Sequence, residues 1–244
     1  MKKDWFVNWF NTSYYHILYK NRDQAEACRF IDNLCDYLEV PKQAQILDLA
    51  CGKGRHSIHL AQKGFNATGL DLAEESILKA KENGIKGVYF DVHDMRKVYK
   101  ENEFDYVFNL FTSFGYFENP NENIDVLKGV ALNLKKKGVF VLDFLNATKV
   151  IKNLVAKESK TLDGIEFNLT RTYNGSTIIK DIQVIDNYKE YNYQESVSAF
   201  TLTDMEEMAH KAGLKIISTF GDYNLNPFDK ANSDRLVLVM KASN

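Results

Sequence analysis

The 244-residue sequence has few cysteines, no long apolar run and almost no net charge. Its three cysteines, Cys28, Cys35 and Cys51, lack metal-type spacing, and without an export signal they indicate reduced thiols in a cytoplasmic protein. No apolar stretch approaches the roughly 20 residues of a membrane span, which argues against a membrane protein. The net charge of −2 comes without a long basic block, which disfavours nucleic acid as a partner.

The most informative segment is ILDLACGKGRHSIHLA, residues 46–61. A buried strand ends near Asp48, passes through a loop in which Ala50, Gly52 and Gly54 alternate, and opens into a helix. Glycine permits the left-handed backbone angles of such a loop, and small side chains let a ligand approach the backbone. The next strand ends on Asp71, whose carboxylate can accept both hydroxyls of a ribose at the carboxyl edge of an open sheet. This order of elements is typical of nucleoside binding.

Strands and helices alternate up to about residue 160, which predicts a parallel sheet. One of these helices is predicted over about 121–136, with the LKKKG run of 134–138 as its end. Alternating polarity and an Asn174-Gly175 turn then predict an antiparallel β insertion at 162–201. Two closing strands with no helix between them permit an antiparallel edge hairpin. Without a low-complexity linker, residues 1–244 form one domain, with residues 1–40 as an aromatic and helical cap.

Two motifs resemble those of a known family. DLACGKGRH resembles motif I of the class I S-adenosylmethionine (SAM) dependent methyltransferases, with Ala50 where glycine is usual, and TGLDL resembles motif II. The N-terminal YYHILYKNR resembles the entry segment of small-molecule and glycine-N-methyltransferase-like enzymes. The resemblance implies an α/β fold with a seven-stranded, mostly parallel Rossmann-like sheet. It also implies SAM as cofactor and S-adenosylhomocysteine as product.

The same resemblance implies roles for individual residues. Asp48 would orient the amino group of SAM, Asp71 would hold the ribose, and Asp94 would hold the adenine amino group. The complete set of expected cofactor-binding residues is Asp48, Ala50, Cys51, Gly52, Gly54, Asp71, Leu72, Asp94, Met95, Asn109, Leu110 and Arg22. Phe114, Tyr116 and Phe117 are expected to wall the acceptor pocket. Tyr15, Tyr19 and Tyr116 are candidates to orient or deprotonate the acceptor, and the sequence does not choose among them.

The sequence thus predicts in-line methyl transfer to an O or N atom of a small-molecule acceptor, with catalysis supplied mainly by alignment. The insertion and the N-terminal cap are expected to form a lid over the acceptor. A non-catalytic SAM-binding or regulatory protein is one alternative. An NAD(P)-dependent oxidoreductase is a weaker one, because Ser57 replaces the third glycine of the dinucleotide motif. His56 and His59 lack a third ligand, so no metal is expected. The oligomeric state stays open, with a homodimer as one option.

Overall fold

The computed structural model describes residues 5–20 and 24–243. Its helices are α1 Trp5–Phe10, α2 Ser13–Leu18, α3 Gln24–Tyr37, α4 Arg55–Gln62, α5 Glu74–Lys81, α6 Pro120–Asn133, α7 Ala147–Lys152 and α8 Leu202–Lys211. Its strands are β1 Gln45–Leu49, β2 Asn66–Asp71, β3 Val88–Val92, β4 Phe104–Asn109, β5 Leu134–Leu145, β6 Lys157–Leu162, β7 Ile165–Tyr173, β8 Thr177–Asp186, β9 Lys189–Ser198, β10 Leu214–Phe220 and β11 Arg235–Ala242. Within the described ranges, no helix has both the length and the apolar character needed to cross a membrane.

The main sheet has seven strands in the order β3-β2-β1-β4-β5-β11-β10. Strands β1 to β5 pair in parallel, whereas β11 runs antiparallel to both β5 and β10. The predicted sheet, including its closing antiparallel pair, is therefore confirmed. Because β1, β2 and β4 are parallel neighbours, their carboxyl ends lie at the same edge of the sheet. The strand order reverses direction between β1 and β4, and open sheets of this kind bind ligands at that point of the edge.

Both faces of this sheet are covered, because successive side chains along a strand point to opposite faces. On one face Ile46 of β1 joins the fully buried Phe30, Ile31 and Leu34 of α3 in one apolar cluster. On the other face Leu47 belongs to a larger cluster that includes residues of α6, α8 and the N-terminal helices. The double coverage explains why the strands are continuous apolar runs rather than alternating ones.

The prediction that LKKKG ends a helix is wrong. Helix α6 ends at Asn133, and Leu134 already pairs with Phe104 as the first residue of β5. The adjacent Lys135 is held by Asp105 on β4, with Nζ 2.9 Å from Oδ2. The strand partner and this ion pair override the local charge pattern, which by itself fits the negative end of a helix dipole.

The insertion is a separate four-stranded antiparallel sheet in the order β6-β7-β8-β9. Its predicted hairpin turn at Asn174-Gly175 connects β7 to β8. The insertion begins at Lys157 rather than 162, and its last strand ends at Ser198. The first strand, KESKTL, was missed because it is a polar edge strand with no buried residue, so it lacks the alternation that reveals β7.

Helices α1 and α2 lie against the inner face of this second sheet. Trp9, which is 1 % exposed, shares an apolar cluster with Phe167 and Ile182 of the insertion. Helix α3 instead packs beside α4 on the main sheet. Within the described part of the segment 1–40, which is expected to form a cap, α1 and α2 therefore pack with the insertion and α3 packs on the main sheet.

Candidate functional site

The loop between β1 and α4 is built from left-handed residues. Ala50, Gly52 and Gly54 have φ values of 63°, 56° and 80°, so alanine adopts here an angle that glycine tolerates better. A Cβ on Gly52 would meet nothing within 4 Å, which leaves this part of the loop open to a ligand. A Cβ on Gly54 would lie 2.6 Å from Cε1 of Phe90. Glycine at position 54 is therefore required by packing against β3.

Asp48 lies beneath this loop and does not line the cavity described below. Its Oδ2 accepts hydrogen bonds from Ser57 Oγ at 2.6 Å and from Ser57 N at 3.1 Å, and the residue is 1 % exposed. Burial raises the pKa of Asp48 to about 6, although the bonds from Ser57 favour the charged form. These contacts fix the first turn of α4 to the end of β1.

Asp71 ends β2 on the other side of the loop and faces the cavity. Its Oδ2 accepts from Gly52 N at 2.8 Å, and its Oδ1 accepts from Ala73 N at 2.8 Å. Burial raises the pKa of Asp71, while backbone hydrogen bonds from Ala73, Gly52 and Leu72 oppose that rise. A carboxylate has about four lone-pair sites, so Asp71 keeps capacity to accept from a ligand.

A cavity of about 330 Å³ opens at this edge of the main sheet. The predicted residues that line it are Tyr15, Tyr19, Ala50, Cys51, Gly52, Asp71, Leu72, Asp94, Met95, Leu110, Tyr116 and Phe117. The predicted residues Asp48, Gly54, Asn109 and Phe114 are not among its lining residues. Arg22 lies outside the described residues. The structure therefore brings most of the predicted site together at one place.

The acid expected to contact adenine is held in place by a neighbouring arginine. Arg96 donates to Asp94 from Nε at 3.0 Å and from Nη2 at 2.7 Å, and from Nη1 to Glu122 at 2.7 Å. Burial raises the pKa of Asp94, but the hydrogen bonds from Arg96 outweigh burial and the net pKa is lowered. Asp94 is therefore ionised at neutral pH, with Met95 beside it in the cavity wall.

The side chains of two other predicted residues are buried in packing contacts. Asn109, 1 % exposed, donates from Nδ2 to the Leu49 carbonyl at 2.9 Å and ties the end of β4 to the end of β1. Phe114 is fully buried, with its ring centroid 6.4 Å from Phe144 and 6.1 Å from Phe200. The expectation that Phe114 walls the acceptor pocket is thus corrected, because a large apolar ring in a loop is equally able to turn into the core.

His16 lines the cavity and was not predicted from the sequence. Its Nε2 is buried and has no hydrogen-bond partner within residues 5–20 and 24–243. Burial lowers the pKa of His16 to about 4, with Lys53 and Lys79 adding repulsion, so the imidazole is neutral at pH 7. A polar atom left without a partner at a cavity wall suits a polar ligand. The only sequence signal was its place in the aromatic entry segment.

The two helical histidines point to different neighbours. His56 stacks on Phe111 with centroids 5.0 Å apart, whereas Nε2 of His59 lies 2.8 Å from Asp32. In the described part of the chain, no group of three or more His, Cys, Asp or Glu residues is arranged to hold a metal.

A second cavity, also of about 330 Å³, adjoins the first. The two share a wall of aromatic residues, Phe10, Tyr15, Tyr19, Phe111 and Tyr116. The remaining walls come from α1, α7, the second sheet and Arg235 at the start of β11. No sequence pattern indicated this cavity, because its walls are assembled from segments that are distant along the chain.

Hydrogen bonds close the N-terminal helices onto the second sheet beside this cavity. Glu195 of β9 accepts from Trp9 Nε1 and from Tyr19 OH, each at 2.7 Å. Lys180 of β8 donates from Nζ to Tyr19 OH at 2.6 Å and lies 3.4 Å from Glu195. Tyr116 donates its hydroxyl hydrogen to the Thr112 carbonyl. Tyr19 and Tyr116 thus hold defined hydrogen bonds at the boundary of the two cavities.

Comparison with known proteins identifies the family. A model of the methyltransferase domain matches residues 41–213, and the chain belongs to this family. The Bacillus subtilis (strain 168) protein YqeM is 28 % identical over 214 residues, covering 84 % of this chain and 86 % of that protein. The dTDP-3-amino-3,4,6-trideoxy-alpha-D-glucopyranose N,N-dimethyltransferase of Streptomyces venezuelae is 24 % identical over 214 residues, covering 83 % and 89 %.

A solved structure has the same fold. The S-adenosylmethionine-dependent methyltransferase from Clostridium acetobutylicum ATCC 824 superposes with a TM-score of 0.81 at 21 % identity, covering 95 % of this chain and 96 % of that one. The protein is a SAM-dependent methyltransferase, and SAM is its methyl donor. This assignment decides against the nicotinamide-dependent oxidoreductase and against a SAM-binding protein without enzymatic activity.

Proposed function

We propose that the chain transfers the methyl group of SAM to an N or O atom of a small-molecule acceptor. The observation that carries the proposal is the pair of adjoining cavities with a shared aromatic wall. One cavity is bordered by the glycine loop and the strand-end acids, and the other by the insertion and α1. Such a pair suits a donor and an acceptor whose reacting atoms meet at the boundary.

The residues of the first cavity fit SAM. Asp71 keeps capacity to accept from the ribose hydroxyls, and Asp94 is ionised to accept from the adenine amino group. Leu72 and Met95 supply apolar contact, and His16 supplies an unpartnered ring nitrogen. Asp48 acts in this proposal through the loop, by holding α4 and β1 together beneath it.

SAM supplies a methyl carbon that its sulfonium group has already activated. The chain has to align the acceptor with that carbon and exclude water, which accounts for an aromatic boundary without a catalytic triad. Tyr19 is held between Glu195 and Lys180, so its hydroxyl is fixed for orienting an acceptor. Tyr116 is fixed by the Thr112 carbonyl, and Tyr15 lies in the same wall with its ring centroid 5.1 Å from that of Tyr19. Helices α1 and α2 together with the insertion act as the lid.

Support for a small acceptor comes from the size of the second cavity, about 330 Å³, and from the Streptomyces venezuelae relative, whose name records dimethylation of a nucleotide-linked amino sugar. The net charge of −2 supports an acceptor other than nucleic acid. The three free cysteines support a reducing, cytoplasmic location. The proposal concerns one chain, and a homodimer is compatible with it.

Two measurements test this function. Calorimetry is expected to show binding of SAM and S-adenosylhomocysteine but not of NAD. With methyl-labelled SAM, label is expected to enter the dialysable fraction of a cell extract and not the retained protein and nucleic acid. Label found only in the retained fraction would refute a small-molecule acceptor.

A matched pair of variants tests the second cavity. Ile178 lines it and is 9 % exposed, whereas Ile217 on β10 is 47 % exposed. Ile178→Trp is expected to fill the acceptor space, sparing S-adenosylhomocysteine binding but abolishing labelling of the dialysable fraction. Ile217→Trp is expected to leave both unchanged. Normal labelling by a folded Ile178→Trp protein would show that the acceptor binds elsewhere.

A further inference from the structure

Arg235 is the most unusual polar group in the second cavity. It is the first residue of β11, pairs with Leu145 at the end of β5, and its side chain is only 18 % exposed. Its guanidinium carbon lies 5.5 Å from the centroid of the Tyr223 ring. A permanently charged group thus lies in the wall of a largely apolar cavity.

The orientation of this guanidinium is fixed by a buried network. Nε donates to Asp143 Oδ1 at 2.8 Å, and Nη2 donates to Thr112 Oγ1 at 2.7 Å. Asp143 is fully buried, and its Oδ2 also accepts from Phe111 N at 2.7 Å and Tyr223 OH at 3.2 Å. Because the carboxylate is anchored at three points, it holds the arginine in one position.

This network leaves part of the arginine unused. Within residues 5–20 and 24–243, Nη1 of Arg235 makes no hydrogen bond, so its two N–H groups are available at the cavity wall. A guanidinium N–H group that the protein leaves unbonded can donate a charge-assisted hydrogen bond to an anionic ligand. An acceptor that presents only apolar atoms here would displace water from these donors without replacing its hydrogen bonds.

The charged residues that line the second cavity also favour an anionic ligand. Three cations, Arg171, Lys180 and Arg235, contribute to its lining, against one carboxylate, Glu195. Asp143 and Glu158, which neutralise the two arginines, are not lining residues. The rest of the wall is largely apolar, with Trp5, Leu145, Val150, Leu154, Ile178 and Val197.

We propose that the acceptor carries an anionic group, a carboxylate or a phosphate, which binds Arg235, and an apolar body that fills the remaining space. This inference rests on the proposed function and narrows its substrate class. Asp143 is then a positioning residue that aims the guanidinium. The acceptor nitrogen or oxygen is on the same molecule, and its methylation follows the chemistry proposed above.

The first experiment treats the dialysable extract before labelled methyl transfer by the wild-type protein. One portion is methyl-esterified in acidic methanol, a second is esterified and then saponified, and a third is treated with phosphatase. A carboxylate acceptor loses labelling on esterification and regains it on saponification, whereas a phosphate acceptor loses labelling with phosphatase. Labelling that survives both esterification and phosphatase overturns the inference and leaves the proposed function standing. No labelling of the untreated extract refutes the proposed function itself.

The second experiment tests Arg235 with the paired variant Asp143→Asn/Arg235→Gln, which removes both buried charges together. The amount of acceptor fraction needed for half-maximal rate is expected to rise at least about tenfold, with S-adenosylhomocysteine affinity unchanged. Arg235→Lys keeps the charge without the planar fork and is expected to be intermediate. Lys149→Gln, which removes a surface cation paired with Asp234, is the control and is expected to have no effect. If the paired variant folds and needs no more acceptor than wild type, Arg235 is excluded as the anion site. If the pair does not fold, the same result for Arg235→Lys excludes it.

Discussion

Asp71→Ala is the substitution that tests the cofactor site most directly. The carboxylate joins the glycine loop to the start of α5 through Gly52 N and Ala73 N, and it faces the first cavity. Its removal leaves these two backbone groups at a solvent-accessible edge, where water can replace the lost acceptor. We therefore expect the protein to fold and the loss to appear mainly in ligand binding.

The magnitude follows from the hydrogen bonds that the carboxylate would accept from the two ribose hydroxyls. A hydrogen bond to a charged group contributes about 1.5–3 kcal/mol. The substitution also removes the burial penalty that raises the pKa of Asp71, so the net loss is smaller than two full bonds. We expect S-adenosylhomocysteine binding to weaken by about 2 to 4 kcal/mol, or about thirty-fold to several hundred-fold in Kd.

The assay is titration calorimetry with S-adenosylhomocysteine, with thermal unfolding measured on the same samples. Asp71→Asn keeps a carbonyl acceptor and should weaken binding less than Asp71→Ala. Glu74→Ala removes an equal charge from an exposed position three residues away and should leave Kd unchanged. If Kd of Asp71→Ala equals that of wild type, another residue holds the ribose and the site assignment is wrong.

Gly54→Ala should lower the free energy of unfolding, measured by urea denaturation, by about 1–3 kcal/mol more than Gly84→Ala. Both glycines have positive φ, but of the two only position 54 has a neighbour, Phe90, with which a new Cβ would collide. An equal loss of stability in the two variants would contradict the collision with Phe90. Burial raises the pKa of Asp48 in the folded protein from 3.8 to about 6, so between these pH values the folded state binds more protons than the unfolded state. The contribution of Asp48 to the free energy of unfolding therefore falls as pH rises from about 4 to about 6, by about 3 kcal/mol in total. Asp48→Asn should flatten that part of the stability profile, and an unchanged profile would contradict the shift. Burial raises the pKa of the Cys51 thiol, so iodoacetamide at pH 8 should label it far more slowly in the folded protein than in urea, as followed by peptide mass spectrometry.

Much of the fold was predictable because it follows from local patterns. The alternation of strands and helices predicted the parallel part of the main sheet, and the Asn174-Gly175 turn predicted the hairpin of the insertion. The prediction failed where a distant partner decided the structure. The lysines after α6 became strand because β4 offers both a backbone ladder and Asp105.

The candidate site divides in the same way. Asp71 and Asp94 were predictable because each follows a strand whose carboxyl end faces the cavity. Asp48 also ends a strand, but its carboxylate turns under the loop to Ser57, and the sequence does not distinguish these two directions. For the same reason Phe114 was expected at the acceptor pocket while its ring packs into the core.

By itself the sequence determined the alternating strands and helices, the glycine loop and the acid that closes β2, because backbone preference and side-chain periodicity act over a few residues. Only the tertiary structure decided the second cavity and its charged wall. Tyr19, Glu195 and Arg235 belong to three distant segments, and what joins them is the closing of α1 and α2 over the inserted sheet. That closing is driven by burial of aromatic surface, which is non-directional and leaves no local pattern by which the sequence alone could reveal the contact.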